Sequence, residues 1–338
     1  MRVRLQDVAD RAEVSTATAS LVLNGKDDSI SGETRTRVRA AARDLGYRPN
    51  VLARSLRSQR TRAIGFISDE VATTPYAGAM IQGAQSVADE HGYVLLLANT
   101  DYHPNVEQRT VEALLDRQID AAIYATMYHR IVEPPTALGA IPTVILDSRP
   151  KDEAAFSWVA PDEIGGATAA VEHLAKAGHR RIAMINDQVG PPAAVEREIA
   201  WRTVLEARGL DRHPDLLTYA ATDSASGAQA ATRLLEGENP PSAVFCFNDR
   251  IAAGVYIAAT RLGLTIPRDL SVVGYDNQVL VAEAVDPGLT SVQLPHDEMG
   301  RWAMEQVLSL LDKGAGLQYK RMPCPLVERG SVAPPGQL

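Results

Sequence analysis

Two hydrophobic rhythms divide this chain near residue 60. Before it, apolar positions follow a helical period. Leu5, Val8, Ala9 and Ala12 fall at i, i+3, i+4 and i+7, one face of a first helix. Glu13-Val14-Ser15 then interrupts, and Ser15 can cap a second helix by accepting hydrogen bonds from the backbone N–H groups just after it. That helix runs through TATASLVLN, with Ala19, Val22 and Leu23 facing inward, and stops at Asn24-Gly25. A third follows Ser31, buries Val38, Ala41, Ala42 and Leu45, and ends at Gly46. Three short helices, the first two joined by a three-residue turn, fit an all-α helix-turn-helix headpiece; the spacing also fits a plain three-helix bundle.

Beyond residue 62 short apolar runs alternate with helical patterns. AIGFIS, YVLLLA, DAAIYA and PTVIL read as buried strands, with helix-like stretches such as PNVEQRTVEALLDRQ between them. A second series, RIAMIN, SAVFCF and LSVVGY, is spaced by helices such as AAVEREIAWRTVLEARG. Strand and helix alternating at this spacing predict parallel sheets covered on both faces, and two such series predict an α/β body of two Rossmann-like lobes. Between headpiece and body lies VLARSLRSQRT, with Asn50 as a candidate N-cap. Val51, Leu52, Ala53 and Leu56 make it apolar on one side, while Arg54, Arg57 and Arg60 make it basic. At about nine residues it is too short for a stable helix alone in water. The expected division is a DNA-binding domain over 1–48, a linker over 49–61 and a body over 62–338.

Charge sharpens this division. The whole chain carries −8, but residues 1–60 hold 12 Lys/Arg against 7 Asp/Glu, and the remainder holds 22 against 35. A basic end on an acidic body points to a local contact with a polyanion. No apolar run reaches the roughly 18 residues of a membrane span, and the basic, amphipathic start lacks a secretory apolar stretch, so a soluble cytoplasmic protein is expected. Cys246 and Cys324 stand 78 positions apart without metal-ligand spacing and read as reduced thiols. No Gly-x-Ser-x-Gly elbow, Walker loop or His-Glu-x-x-His motif occurs, and His173 and His179 are badly spaced for a metal. No metal, cofactor or enzymatic activity is expected.

In a helix-turn-helix the second helix lies in the major groove with its first turns toward base edges. Thr16, Ala17, Ser20 and Leu21 take that place, with Ser15, Thr18 and Asn24 on the same element. Thr16 can hydrogen-bond a base edge, and Ala17 or Leu21 can touch a thymine methyl. Arg2, Arg4, Arg11, Arg35 and Arg37 are candidates for phosphate contact. None of the four base-facing residues can make a bidentate base contact, so specificity is expected to lean on a dimer, the linker and DNA deformability.

LQDVADRAEVSTATASLVLNG, TRTRVRAAARDLGYRPN and LARSLRSQRTRAIG together closely resemble the lactose/galactose repressor (LacI/GalR) family, and the similarity continues to about residue 330. The resemblance implies a homodimer on a palindromic double-stranded DNA operator. It implies paired linker helices in the minor groove, where Leu56 levers a base step open beside Asn50, Ala53 and Arg57. It also implies a body of the periplasmic-binding-protein type I fold, crossing between lobes near residues 160, 290 and 320 around a ligand. Four positions depart from the family pattern: Glu13 stands where Gly is usual, Leu21 where Arg is frequent, and Tyr275 and Asn277 where Phe and Asp are commoner.

Ligands of open α/β sheets bind beyond the carboxyl ends of strands. The polar residues there are Ser68 and Asp69 with Tyr76 nearby, Asp147 and Arg149, Trp158, Asn248 and Asp249, Asp276 and Asn277, and Gln293, with Arg197 added from a helix. The resemblance assigns effector contacts to Asp147, Arg197, Asn248, Asp276 and Gln293. Carboxylates, amides and a guanidinium suit a polyhydroxylated ligand, with Trp158 as a plate for a sugar's C–H face. Each Asp or Asn is equally at home as a turn or cap residue. The expectation is a transcriptional repressor controlled by a small molecule, a sugar by this chemistry. The body alone would suit a solute-binding protein; a two-lobed sugar enzyme would need paired catalytic carboxylates or an activated nucleophile, which the sequence does not offer.

Overall fold

Alanine makes the N-terminal helices pack closely. The computed structural model describes residues 3–25, 27–47, 60–71, 74, 77–312 and 315–336, which fall into two compact units, Met1–Arg62 and Ala63–Leu338. In the first unit α1 (Leu5–Arg11), α2 (Thr16–Leu23) and α3 (Gly32–Asp44) enclose Val8, Ala9, Ala12, Ala19, Val22, Val38, Ala41 and Ala42. Five of those eight are alanines, so the helices meet at methyl-sized contacts. Both expected caps form: Ser15 Oγ accepts the Thr18 N–H at 3.1 Å and Ser31 Oγ the Thr34 N–H at 3.3 Å. Asp27, 6% exposed, ties the preceding loop to Arg39 of α3 at 2.9 Å.

The turn between α1 and α2 holds Glu13 at φ +52°, in the left-handed region that costs an L-residue roughly 1–2 kcal/mol. Glu13→Gly relieves this strain but adds backbone entropy to the unfolded chain. The expected net gain is about 0.5–1 kcal/mol, read as a two- to fivefold rise in hydrogen-exchange protection of α1 and α2 amides in the full chain. Unchanged protection would show that the turn carries no such strain.

The second unit is built on two six-stranded sheets. The first has the order β13-β7-β5-β3-β1-β2, from β1 (Ala63–Ser68), β2 (Val94–Asn99), β3 (Ala121–Ala125), β5 (Thr143–Leu146), β7 (Ser157–Pro161) and β13 (Tyr319–Met322), all parallel. The second has the order β14-β12-β11-β10-β8-β9, from β8 (Ile182–Asp187), β9 (Leu217–Ala220), β10 (Ala243–Cys246), β11 (Ser271–Asp276), β12 (Thr290–Gln293) and β14 (Leu326–Val327). Only β14 runs antiparallel, against β12. A small parallel pair, β4 (Ile131–Val132) and β6 (Arg149–Pro150), flanks the first sheet.

The chain passes between these lobes three times. After β7 it enters α6 (Glu163–Lys176), whose Ala167, Ala170, Val171 and Leu174 belong to the second lobe's core. After β12 it enters α11 (His296–Leu311), whose Met299, Ala303, Met304 and Val307 return to the first. It passes last between β13 and β14. In the first lobe α11 lies across α4 (Gly78–Glu90) at backbone contact: a Cβ at Gly300 would collide with the Met80 carbonyl oxygen, and one at Gly83 with that of Asp297. The remaining helices are α5 (Pro104–Asp116), α7 (Pro192–Ala207), α8 (Ser224–Leu235), α9 (Asp249–Arg261) and the short α10 (Val279–Ala282).

Candidate functional site

On the headpiece, Thr16, Ala17 and Leu21 form the exposed face of α2, Leu21 with 42% of its surface open. The other polar side chains of this helix engage one another. Ser15 and Thr18 pair through their hydroxyls at 2.9 Å, and Asn24 Nδ2 donates to the Ser20 carbonyl at 2.6 Å and to Ser20 Oγ at 3.2 Å. One hydroxyl and two apolar side chains therefore dominate the outward surface. Arg4 precedes α1 with its side chain exposed, 3.9 Å from Asp7, and Arg35 lies half-buried on α3. Arg2, Asn50, Ala53, Leu56, Arg57 and Tyr76 lie outside the described residues.

In the second unit a cavity of about 360 Å³ opens between the lobes. Asp147, Arg197, Asn248 and Asp276 line it. Asp147 follows β5 at φ +59° and Asp276 ends β11 at φ +94°; left-handed backbone at the strand ends turns both carboxylates into the cleft. Asn248 Oδ1 caps α9 by accepting the Ile251 N–H at 2.8 Å, which leaves its amide NH2 as the group it can offer a ligand.

Arg197 is the hub. Its guanidinium sits 3.5 Å from the Tyr275 ring centroid and 4.5 Å from that of Phe247. Nε donates to Glu163 Oε2 at 2.8 Å, Nη1 donates to the Phe247 carbonyl, and Asp276 Oδ1 stands 3.8 Å away. Burial opposes its charge, but Glu163 and its other neighbours raise its pKa on balance, so the cation is kept. Next to it, His129 Nε2 accepts from Arg149 Nε at 3.1 Å, which places a neutral ring's proton on Nδ1, 4.0 Å from Glu163 Oε1. Burial lowers the His129 pKa, with Glu163 opposing.

Five residues expected in the cleft stand elsewhere. Ser68 Oγ is used locally, donating to Asn99 and accepting the Val71 N–H. Asp69 pairs with Arg130 at 2.5 Å and lines a smaller cavity of about 210 Å³. Trp158 points into the first lobe's packing, its ring 5.9 Å from Tyr319, because it lies inside β7 rather than past it. Gln293 accepts from Asn277 Nδ2 at 2.5 Å and donates to the Leu294 carbonyl. Arg149 binds across the lobes: Glu196 of α7 holds Arg149 at 3.2 Å and Arg321 of β13 at 2.7 Å, forming a latch between first and second lobe.

The aromatic residues that line the cavity are Tyr102, Tyr128 and Phe247 rather than Trp158. The sequence reading passed over Glu163 and His129. The rule that selected residues beyond other strands finds Tyr128 and His129 when applied to the end of β3. Glu163 carried only a faint mark, an acidic residue in the first turn of a helix that follows a lobe crossing.

Asp249, behind Asp276, is fully buried and accepts from Ser291 Oγ and the Gln278 N–H, both at 2.6 Å. Burial first, then the Asp276 charge, pushes its pKa up to about 8. The folded chain therefore holds this proton more tightly than the unfolded chain, whose carboxyl titrates near 4. Its stabilising effect is complete below pH 4 and is lost as pH rises through 8. Asp276, raised to about 6 mainly by burial, acts with the same sign at lower pH. Stability is expected to fall between pH 6 and 8, on the order of 1–3 kcal/mol, and Asp249→Asn to flatten that fall in melting curves. An equally steep fall in the variant would remove Asp249 as its source.

Among the described residues no group of three or more His, Cys, Asp or Glu could hold a metal ion, and no helix is long and apolar enough to cross a membrane. Residues 4–50 match the family model described as bacterial regulatory proteins, lacI family, and residues 171–332 match that of a periplasmic binding protein-like domain. The chain is 31% identical to the HTH-type transcriptional repressor CytR of Escherichia coli (strain K12), over 97% of this chain and 96% of the relative. A solved lac repressor dimer bound to operator and the anti-inducer ONPF is 25% identical with a TM-score of 0.82, covering 98% of this chain and all of the other. The transcriptional regulator CelR in complex with cellobiose is 28% identical with a TM-score of 0.70, again covering 98% of this chain and all of the other.

Proposed function

This chain belongs to the lacI family of bacterial regulatory proteins, and we propose that it represses transcription as a homodimer on a palindromic operator, released or retained by a sugar held between its lobes. That it is a sequence-specific DNA-binding regulator with small-molecule-binding lobes, and not an enzyme, follows from family and fold. The observation that carries the finer reading is the inter-lobe cavity in which Asp147, Arg197, Asn248 and Asp276 converge. At about 30 Å³ per water its volume matches about a dozen waters, room for a ligand of monosaccharide size or larger. Because the wall draws on both lobes, a ligand there favours one lobe arrangement over another, and coupling of this kind amounts to about 1–3 kcal/mol.

Dimerisation is supported by the operator-bound dimer of the related lac repressor and by exposed apolar side chains on both lobes, Val94 and Leu97 on edge strand β2 and Val279 and Leu280 on α10. A two-fold protein matches a palindrome, and the modest outward chemistry of α2 makes the second headpiece and the linker wedge at Leu56 necessary for specificity. The protein then works on DNA in the cytoplasm. Selection of binding sites from random DNA by the full chain is expected to return palindromes whose affinity falls steeply with salt. Asymmetric sites, or affinity indifferent to salt, would overturn the reading.

A further inference from the structure

The cleft has a pronounced charge imbalance. Five carboxylates line it, those of Glu70, Asp147, Glu163, Asp187 and Asp276, against the guanidiniums of Arg197 and Arg250. Arg197 is already matched by Glu163 at 2.8 Å and Asp276 at 3.8 Å. Asp147 is left over. It is 1% exposed, and neither carboxylate oxygen has a hydrogen-bond partner among the described residues. Among the described residues the one basic atom within 4.0 Å is His296 Nε2, at 3.9 Å from Oδ2, beyond hydrogen-bond reach. The charged groups around Asp147 are Glu163, Asp69 and Asp276, with Arg197 opposing them.

A buried carboxylate needs either a proton or a partner. From this geometry we propose that the effector is a polyhydroxylated molecule bearing a protonated amine, an amino sugar or aminated polyol, and that Asp147 receives the amine. The inference rests on reading the cleft as the effector site. A neutral hydroxyl could bond Asp147 but would bring no positive charge to the other cleft carboxylates, Glu70, Glu163, Asp187 and Asp276, and a phosphate or carboxylate would add negative charge. An ammonium group brings donors and positive charge together, and charge-assisted hydrogen bonds are roughly twice as strong as neutral ones. Burial, followed by the charges of Glu163 and Asp69, raises the Asp147 pKa well above the usual carboxylate range and so favours a proton on its carboxyl. Seating an ammonium there expels that proton to solvent, while the ammonium keeps its own.

The test uses the full chain at pH 7 with three matched sets of probes: D-glucose, D-galactose and D-mannose, their 2-amino-2-deoxy forms and their 6-phosphates. Melting shifts and calorimetry in buffers of different ionisation enthalpy give affinity and proton release. One amino sugar is expected to bind at least tenfold more tightly than its parent hexose, with net release of protons, and no shift is expected from any phosphate. Asp147→Asn keeps the shape and tolerates the left-handed backbone, so it should melt normally and lose the tenfold preference. The proposal is overturned by a parent hexose or phosphate binding as well as the amino sugar, by binding without proton release, by a preference that survives in the variant, or by silence from every amino sugar. Release of operator DNA by an uncharged sugar would overturn the amine alone. Operator binding indifferent to every small molecule would instead count against the effector reading beneath it.

Discussion

Arg197→Met is expected to lower the melting temperature of the two-lobed unit by roughly 10–15 °C and to abolish its response to ligand, while headpiece binding to DNA persists. Methionine keeps the unbranched length but removes the charge. Glu163, with a 1% exposed side chain, then loses its ion-pair partner, and Asp276, with 11%, loses the nearer of the two guanidiniums that act on it. Removing one partner of a buried pair costs about 3–5 kcal/mol, since the stranded charge keeps its desolvation penalty, and each kcal/mol lowers the melting point of a unit this size by about 2–4 °C. Lysine should not rescue, because the planar fork lies against the Phe247 and Tyr275 rings while holding Glu163. Adding Glu163→Gln to Arg197→Met should restore part of the melting temperature and none of the ligand response. Melting within 2 °C of the parent chain would show that the pair does not hold the cleft together.

Gly300→Val should be at least as damaging, through packing rather than charge. The obstacle at Gly300 is the Met80 backbone carbonyl, and Gly83 of α4 meets the Asp297 carbonyl in the same way. A backbone oxygen cannot swing aside as the end of a flexible side chain can, so α4 and α11 must separate and open the first lobe's core around Met80, Ala84, Met299 and Ala303. Overpacking of a close core costs about 1–3 kcal/mol or more, and here the helix separation adds lost contact along both elements. The variant is expected to reach the insoluble fraction or to melt at least 10 °C lower. Gly316→Ala, which meets nothing within 4 Å, is the control and should melt as the parent does. Equal melting of both variants would refute the close crossing.

Local signals carried the parts of this fold that the sequence revealed. Helices α1 to α3 were legible because their period and their caps, Ser15 and Ser31, lie within a few residues of each other. Strands such as β3, β8 and β10, buried throughout, stand out as unbroken apolar runs. Strand β13, Tyr-Lys-Arg-Met, lies at a sheet edge with three of its four residues exposed, and its sequence reads as a loop. Trp158 was placed beside a ligand because β7, which contains it, was not recognised. In the cleft, position after a strand found Asp147 and Asp276, but direction depends on backbone dihedrals that no pattern displays. Asp147 at φ +59° turns inward, while Arg149, two residues later, reaches across to Glu196. Glu163 belongs to the site through a partner 34 positions away in the chain, and periodicity is blind to such pairings.

The three lobe crossings also set a timetable for the ribosome. The first sheet contains β7, complete at residue 161, and β13, complete only at residue 322. At synthesis rates of about 5–20 residues per second, the lobe begun first waits roughly 10–30 s for its last strand and for the helix that covers Met80. During that interval the apolar groove destined for α11 is open on a nascent chain, and most of the second lobe emerges before the first can close. A message cut short after β12 would yield two unfinished lobes rather than one whole one.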